Sequence, residues 1–377
     1  MTARRRSAGA LFLLYGVLLG TWTARIPAIK ARLDLSDARL SYCLLAFAAG
    51  AIVGMQVSGW LVDRVGAPAV LVPAVLLDSV ALVAPSYAGG LALLAVALLC
   101  FGLVHGVLNV AMNVNAVEVQ RALGRPIIST CHAIYSIGGF VGAAVGGLFA
   151  YGAVGVRANF TTVAVVVAVL GLCLARWIGA SGVPDEAETP PSSMAPVSGI
   201  AFLGVLAFCC LVGEGAAADW SSVYLRDGLG TSAGYAAAAY ACFAVMMTAG
   251  RLLGDGLVLR FGPVAVARAG GWLAALGLAG CLLADEPLAG VAGFGALGAG
   301  LSCIAPQVFA AAGNRNPDRS GQAIGRVAGL GFLGFVVGPV IIGAMAQVTG
   351  IAWALVVPAL LAAFVAVSAS ALSTPPR

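Results

Sequence analysis

The sequence predicts an all-α membrane protein with twelve transmembrane helices arranged as two pseudo-symmetric six-helix bundles. Composition is the first reason: 61% of the 377 residues are hydrophobic and only 9% are charged, whereas soluble domains carry roughly 25% charged residues. The second reason is that apolar runs long enough to cross a bilayer, about 20 residues, recur along nearly the whole chain. The third is a single polar, turn-rich linker near the middle, at residues 181–196.

The apolar runs define the individual spans. Three arginines followed by an apolar stretch at the start resemble a signal peptide, but the same pattern repeats many times, so we interpret the first run as an uncleaved span. The predicted spans lie near residues 8–28, 38–61, 68–87, 90–117, 126–153, 159–180, 199–223, 233–258, 263–284, 288–312, 321–347 and 350–372.

The arginines and lysines indicate the orientation of the chain. Loops rich in these residues stay in the cytoplasm, and 14 of the 20 lie on the side of both termini. We therefore expect both termini to be cytoplasmic. This topology explains the net charge of +5. No basic run interleaves with aromatic residues, so we expect no nucleic acid as a partner. The expected partner is the lipid bilayer.

The polar linker divides the chain into a first bundle at residues 1–180, a cytoplasmic linker at 181–197 and a second bundle at 198–377. One fixed offset superposes "DRVG" (63–66) on "LRFG" (259–262), and also Gly142 on Gly338. Two motifs that share one offset indicate an internal repeat of six-helix halves in parallel orientation.

The loop after the second span contains "GWLVDRVG", which resembles the G-x-L-x-D-R-x-G signature of the major facilitator superfamily. The matching residues include Gly59, Asp63, Arg64 and Gly66. A degenerate copy after the eighth span, "GRLLGDGLVLRFG", supplies Arg251, Asp255, Arg260 and Gly262. A tight glycine turn lets two helix ends approach, and Asp63 can then lie against a helix N-terminus or Arg326. We predict that both copies form a cytoplasmic gate; a single copy would equally suit an ordinary charged turn.

Four further stretches resemble one bacterial inner-membrane branch of the superfamily, distantly similar to the fucose permease group. They are "ARIPAIKARLDLSDARLS" (24–41), "NVAMNVNAVEVQ" (109–120), "RPIISTCHAIYSIGG" (125–139) and "EGAAADWSSVYL" (214–225). The resemblance covers essentially the whole chain. It implies the superfamily fold and alternating access to a central site lined by spans 1, 4, 7 and 10, and it leaves the solute open.

The fifth span contains "GGFVGAAVGG", which resembles the G-P-x-x-G-G motif of superfamily antiporters. Ala143 stands where that motif has proline. Glycines four positions apart also let helix backbones approach closely in lipid. We favour this packing interpretation and do not infer antiport from the motif.

Polar side chains inside a membrane are costly and often mark the path of a solute or ion. His105, Asn109 and Asn113 form one stripe along the fourth span. The residues predicted to contact the solute are Tyr15, His105, Asn109, Asn113, Tyr135, Glu214, Tyr240 and Gln307. The alternative is hydrogen bonding that only joins helices. Asp78 is expected to have that packing role and is assigned no function.

Two residues suit proton coupling. An ionised Glu214 deep in the seventh span costs several kcal/mol unless it is paired or protonated, so we predict that it carries a proton. A permanent structural ion pair is the alternative. His132 can also carry a proton, since histidine titrates near physiological pH, or it can hydrogen-bond a neighbouring helix. No metal or other cofactor is expected, because the two histidines lie in different spans and the nine cysteines show no C-x-x-C spacing.

Arg25 lies at the outer end of the first span, as Asp219 does for the seventh. We predict an outer gate in which Arg25 pairs with Asp219 or Glu214, with Pro27 ending or kinking the helix beside it. The alternative is that the Arg25 side chain extends to the membrane interface.

These observations predict a monomeric secondary active transporter that moves a small organic solute, is coupled to protons and favours efflux. The sequence has no G-x-x-x-x-G-K-[ST] motif for ATP-driven transport. It also has no nucleophile–base or metal-ligand cluster, so an enzyme is not expected. Two alternatives stay open: proton-coupled uptake of a sugar-like nutrient and, in a different class, a transporter-derived sensor or lipid-handling protein.

Overall fold

The computed structural model describes residues 2–179 and 199–373, so the predicted linker at 181–197 lies outside the described residues. Within these ranges the chain is helical and contains no strand. The α-helices are α1 (Thr2–Arg32), α2 (Asp37–Val65), α3 (Ala67–Val83), α4 (Leu91–Leu123), α5 (Ile128–Tyr151), α6 (Val156–Gly179), α7 (Ile200–Val223), α8 (Ala233–Ala284), α9 (Pro287–Leu301), α10 (Ile304–Arg315), α11 (Ser320–Thr349), α12 (Ile351–Ala354) and α13 (Val356–Ser368).

Eleven helical segments of the described chain are long and apolar enough to cross a membrane. One of them, α8, is 52 residues long and changes direction at Gly262, where φ is 79°. Pro263 follows directly, and proline is tolerated at the start of a helix because its missing N–H has no intrahelical partner there. The two arms of α8 are thus the predicted spans 8 and 9. The all-α, twelve-span prediction is confirmed.

The chain forms two compact units. Unit 1 contains Met1–Ile127, Ile134–Val197 and Asn316–Gly329, and unit 2 contains Ile128–Ala133, Ser198–Arg315 and Leu330–Arg377. The short segments at the starts of α5 and α11 therefore belong to the opposite unit from the rest of their helices. The sequence-based domain boundaries stay a prediction.

Glycines set the close packing of α2 against α4 in unit 1. A Cβ atom at each of four glycines would collide with a backbone oxygen of the other helix: Gly50, Gly54, Gly102 and Gly106. Small residues allow this approach in lipid, where dispersion contacts between helices replace the hydrophobic effect. In unit 2, Gly270 and Gly300 meet in the same way, which joins the second arm of α8 to α9.

The first helix does not end at Pro27. It continues to Arg32, and Lys30 in its last turn pairs with Asp37 at the start of α2. Trp22 and Ile29, on either side of the proline, are fully buried. Tertiary packing on both sides therefore holds the helix together where the local sequence favours a break.

Candidate functional site

In unit 1, four of the predicted solute-contact residues come together around Tyr15. The His105 ring stacks on the Tyr15 ring, with centroids 3.8 Å apart and an interplanar angle of 12°. The Tyr15 hydroxyl accepts a hydrogen bond from Asn109 Nδ2 at 3.1 Å, and the Tyr135 ring lies 5.5 Å away. Side chains from α1, α4 and α5 thus form one polar and aromatic cluster.

Backbone contact between α1 and α5 positions this cluster. A Cβ atom on Gly16 would collide with the carbonyl oxygen of Tyr135, and a Cβ atom on Gly138 or Gly142 would collide with carbonyl oxygens of α1. The glycines of "GGFVGAAVGG" therefore pack α5 directly against α1 and bring Tyr135 beside Tyr15. This is the packing role that we favoured over an antiport signature.

Asp78 and His105 form a contact that the sequence did not reveal. Asp78 Oδ2 lies 2.9 Å from His105 Nδ1, and the two side chains are 0% and 3% exposed. The rings of Phe47 and Phe101 flank the imidazole. Asp78 thus joins α3 to α4, as expected, but its partner is a titratable residue. No helical periodicity connects the two positions, because they lie in different helices.

Asn113 continues the polar stripe of α4 but is turned toward its own helix. Its side chain is buried, and its Nδ2 atom donates to the backbone oxygen of Asn109 at 2.9 Å. Part of its hydrogen-bonding capacity is therefore used locally.

In unit 2, Glu214 of α7 forms an ion pair with Arg251 of α8. Arg251 Nη2 lies 3.6 Å from Glu214 Oε2, and the side chains are 6% and 24% exposed. Tyr240 interacts electrostatically with Glu214 and with Asp219. Arg251 of the predicted gate motif is a buried helical residue, and the carboxylate of Glu214 compensates its charge within the bundle. Its role in a cytoplasmic gate stays a prediction.

Two other predicted residues lie near the start of α5 within unit 2. Gln307 Nε2 donates to Ser129 Oγ at 3.3 Å. The His132 ring stacks on the Phe309 ring, with centroids 5.9 Å apart, and His132 also interacts electrostatically with Arg251. Predicted residues from α5, α8 and α10 thus lie in one neighbourhood of unit 2.

Asp63 caps the N-terminus of α11. Its carboxylate accepts hydrogen bonds from the backbone N–H groups of Gly321 at 2.7 Å and Gln322 at 3.0 Å, all within unit 1. Gly59 allows this approach, because a Cβ atom there would lie 2.8 Å from the carbonyl oxygen of Gly321. A carboxylate is favourable at the positive end of the helix dipole. Of the two arrangements expected for Asp63, this is the one present.

Asp255 makes the equivalent contact in unit 2. Its carboxylate accepts hydrogen bonds from the backbone N–H groups of Ser129 at 3.0 Å and Thr130 at 2.8 Å, at the start of α5. The degenerate copy of the motif therefore keeps the same local geometry as the first copy.

The remaining motif residues lie at the turns. Gly66 and Gly262 have φ angles of 83° and 79°, which favour glycine because a side chain is strained there. The guanidinium groups of Arg64 and Arg260 each lie 5.2 Å from the ring of a neighbouring aromatic residue. Both arginines are exposed; the cytoplasmic location of these turns stays a prediction.

At the other end of unit 1, Arg25 binds the backbone. Its Nη1 and Nη2 atoms donate to the carbonyl oxygens of Gly146 at 3.3 Å and Val154 at 2.7 Å, and its side chain is buried. Asp219, in unit 2, is exposed. The pairing of Arg25 with Asp219 or Glu214 as an outer gate stays a prediction.

Across the described residues, no group of three His, Cys, Asp or Glu side chains could hold a metal ion. The nine cysteines are free thiols.

Comparison with known proteins places this geometry in a family. The sequence model of the Major Facilitator Superfamily matches residues 7–263 and 203–377. The chain belongs to the major facilitator superfamily. It is 35% identical to the uncharacterized transporter y4wD of Sinorhizobium fredii, with 97% of each chain covered. It is also 35% identical to an uncharacterized MFS-type transporter of Yersinia pestis, with 96% of this chain and 94% of the relative covered.

Solved superfamily structures share the fold. FucP in its outward conformation superposes with a TM-score of 0.80 at 18% identity, covering 98% of each chain. The proton:xylose symporter XylE superposes with a TM-score of 0.77 at 14% identity, covering 97% of this chain and 94% of XylE. The expected superfamily membership and its distant similarity to FucP are confirmed. This superfamily member is a multi-pass membrane protein, and its relatives support secondary transport across a membrane.

Proposed function

We propose that this superfamily member is a proton-coupled transporter that exports a small organic solute with amine or hydroxyl groups by alternating access. It acts as a monomer in the bacterial cytoplasmic membrane, with both termini in the cytoplasm. It needs no cofactor and catalyses no chemical conversion. The Glu214–Arg251 ion pair is the observation that carries the proposal.

The two members of this pair differ in what they can do. An arginine side chain stays protonated in proteins, so the carboxylate is the member that can gain or lose a proton. The Glu214 side chain is 24% exposed, against 6% for Arg251, so the carboxylate is also the more accessible member. A proton on Glu214 replaces a charge–charge contact with a weaker interaction and leaves Arg251 as a buried cation. Protonation thus weakens the electrostatic attraction between α7 and α8.

The polar cluster of unit 1 supports a solute with hydrogen-bond donors. Tyr15 and Asn109 offer a hydroxyl and an amide, and the Oδ1 atom of Asn109 is buried without a hydrogen-bond partner among the described residues. A buried acceptor without a partner is costly. An amine or hydroxyl of the solute can satisfy it.

The test uses purified protein in lipid vesicles. A panel of amines and sugars is first scored by thermal shift, because binding to the folded state raises its melting temperature. Transport of the selected compound is then measured with and without a pH gradient. Glu214→Gln is expected to lose proton-driven transport and to retain solute exchange across the vesicle membrane.

Asp227→Asn is the matched control, because Asp227 pairs with Arg226 at the surface with both side chains about two-thirds exposed. We expect its proton-driven transport to match that of the unsubstituted protein. A Glu214→Gln variant that keeps the full response to the pH gradient would contradict the proposal.

Uptake of a sugar-like nutrient is the first alternative. The structural neighbours FucP and XylE are described as fucose:proton and proton:xylose symporters, which supports a sugar as the solute. Vesicles of defined orientation given L-fucose or D-xylose distinguish the cases. An inward proton gradient that concentrates either sugar inside the vesicles would favour uptake over efflux.

Lipid handling is the alternative from a different class, beside a sensor. Unit 2 has an apolar groove of about 560 Å³ between the two arms of α8 and α9. None of its lining residues is charged, so the groove suits an acyl chain and provides no charged partner for a lipid headgroup. Ala269 lines the groove, and Ala269→Phe fills it. Translocation of a fluorescent phospholipid that is lost in that variant, from a protein that transports no soluble compound of the panel, would favour lipid handling.

A further inference from the structure

We propose that Asp78 and His105 form a second proton-binding site and that Tyr15 and Asn109 connect it to the solute. These two titratable residues are called the buried pair below. The inference rests on the proposed proton-coupled transport, and it names a proton carrier in unit 1 in addition to Glu214 in unit 2.

The buried pair is electrostatically isolated. Asp78 is 0% exposed and His105 is 3% exposed. Among the residues that the structure describes, His105 is the only ion-pair partner of Asp78. A net charge on the pair is therefore compensated by no other side chain. Such a charge inside a membrane protein is costly and usually functional.

Among the described residues, the elements around the buried pair supply one other titratable group that faces it. Tyr15 of α1 interacts electrostatically with Asp78, and Tyr135 of α5 lies behind Tyr15. α2 contributes the ring of Phe47.

The charged residues of the same helices lie elsewhere. Arg157 and Arg176 are in the first and last turns of α6, and Arg157 contacts Ser86 and Tyr87. On α4, Glu118 lies more than three turns beyond His105. Arg25 of α1 binds backbone oxygens of α5 and the loop that follows it. The proton affinity of the buried pair is thus set mainly by its own two members and Tyr15.

The buried pair has two places for one additional proton. Asp78 Oδ1 and His105 Nε2 are both buried and without a hydrogen-bond partner in the described residues. When His105 Nδ1–H donates to an ionised Asp78, the pair carries one negative charge, and neither Oδ1 nor Nε2 carries a proton. A proton on Nε2 gives an imidazolium beside a carboxylate, and a proton on Oδ1 gives a carboxylic acid beside a neutral imidazole. Either position makes the pair neutral.

The aromatic stack links this charge to the solute cluster. The face of the His105 ring lies against Tyr15, whose hydroxyl is hydrogen-bonded to Asn109. A cationic amine held at Tyr15 and Asn109 is attracted to the buried pair in its deprotonated, negative form, and loses that attraction when the pair is protonated. The proton and a cationic solute therefore compete for binding, as the exchange of a proton for the solute requires.

The experiment is a pH titration of the full-length protein in nanodiscs, without solute and without a gradient. The histidines are labelled with ¹⁵N; the chain has only two, so His132→Asn assigns the His105 signals. Spectra are recorded from about pH 5 to about pH 9, the range around the histidine titration. The imidazole nitrogen signals report a proton on Nε2. The infrared carbonyl band of a protonated carboxylic acid reports one on Oδ1, and the part of this band that is lost in Glu214→Gln is assigned to Glu214.

We expect one of the two signals to change in a single step in the unsubstituted protein. Asp78→Asn should abolish the infrared step or weaken proton binding at His105 by about tenfold or more, because the imidazolium loses its anion. Asp227→Asn, which removes an exposed carboxylate of unit 2, should leave the step unchanged.

Two results would overturn the inference. One is that neither signal changes over the whole range in the unsubstituted protein; this measurement needs no substitution, so it decides the matter even if Asp78→Asn fails to fold. The other is a step that is identical in Asp78→Asn. Both readouts are independent of solute transport, so a negative result here leaves the Glu214 test unaffected, and the converse also holds.

Discussion

Asp63 and Asp255 each cap a helix N-terminus: Asp63 binds the backbone N–H group of Gly321, and Asp255 binds that of Ser129. The two aspartates are as many residues apart in the chain as the two residues that they bind. The turn glycines that follow, Gly66 and Gly262, are one helical turn further apart. In the second copy the aspartate is therefore one turn deeper in its helix. Since residues one turn apart share a face, the carboxylate still reaches its target helix.

The two capping aspartates are expected to stabilise the fold. Asp63→Asn and Asp255→Asn each replace two charge-assisted hydrogen bonds at a helix N-terminus with a single neutral one, because an amide has one acceptor oxygen. Each should therefore lower the free energy of unfolding by about 1–3 kcal/mol. The melting temperature in detergent measures the effect. Asp227→Asn is the control, because an exposed ion pair contributes little. Equal melting temperatures for all three variants would contradict the importance of the caps.

The close contact of α1 and α5 predicts unequal effects of alanine within one motif. A Cβ atom on Gly142 would lie 2.8 Å from the backbone nitrogen of Thr21 and closer still to the oxygen of Val17, whereas a Cβ atom on Gly147 meets nothing within 4 Å. Gly142→Ala should destabilise the protein by about 1–3 kcal/mol through overpacking. Gly147→Ala should be neutral or slightly stabilising, since alanine favours helix. Thermal melts of both variants measure this difference. Equal melting temperatures would show that Gly142 has a role other than helix packing.

The Glu214–Arg251 pair predicts non-additive effects on stability. Arg251→Gln leaves a carboxylate without its partner and should cost about 2–3 kcal/mol, below the usual range for a buried pair because the Glu214 side chain is 24% exposed. Glu214→Gln leaves a buried arginine and should cost about as much. The double variant should cost less than the sum of the two. Additive changes in the melting temperature would show that the two side chains do not interact.

Tyr15→Phe separates the two contacts of Tyr15. The ring that stacks on His105 is retained, but the hydroxyl that accepts from Asn109 is lost. We expect weaker solute binding by about threefold to tenfold, corresponding to about one hydrogen bond, measured as the ligand-induced thermal shift. Tyr87→Phe removes a hydroxyl from an exposed tyrosine and should leave the shift unchanged. An unchanged shift in Tyr15→Phe would place the solute elsewhere.

Much of the fold could be predicted from the sequence because the bilayer imposes a simple rule. Twenty apolar residues satisfy their own backbone only as a helix, so the spans follow from hydropathy alone. Pro27 shows the limit of local rules. It favours a helix end, yet α1 continues to Arg32 because the residues on both sides of it are buried.

The candidate site was less predictable. The residues Tyr15, His105, Asn109 and Tyr135 could be selected because polar and aromatic side chains in a membrane are conspicuous. Their partners could not: Asp78 was expected only to join helices, and Arg251 was expected at the cytoplasmic turn. Both pair with titratable residues of neighbouring helices, and such pairings depend on how the helices are rotated.

By itself, the sequence determined the helical class, the twelve spans and the superfamily, because hydrophobic length and turn motifs are local properties of the chain. The tertiary structure alone decided which partner each acidic side chain meets: His105 for Asp78, Arg251 for Glu214, and the first turn of α11 for Asp63. The physical reason is that the energy of a buried charge depends on the few atoms within about 4 Å of it. Those atoms come from helices distant in the sequence.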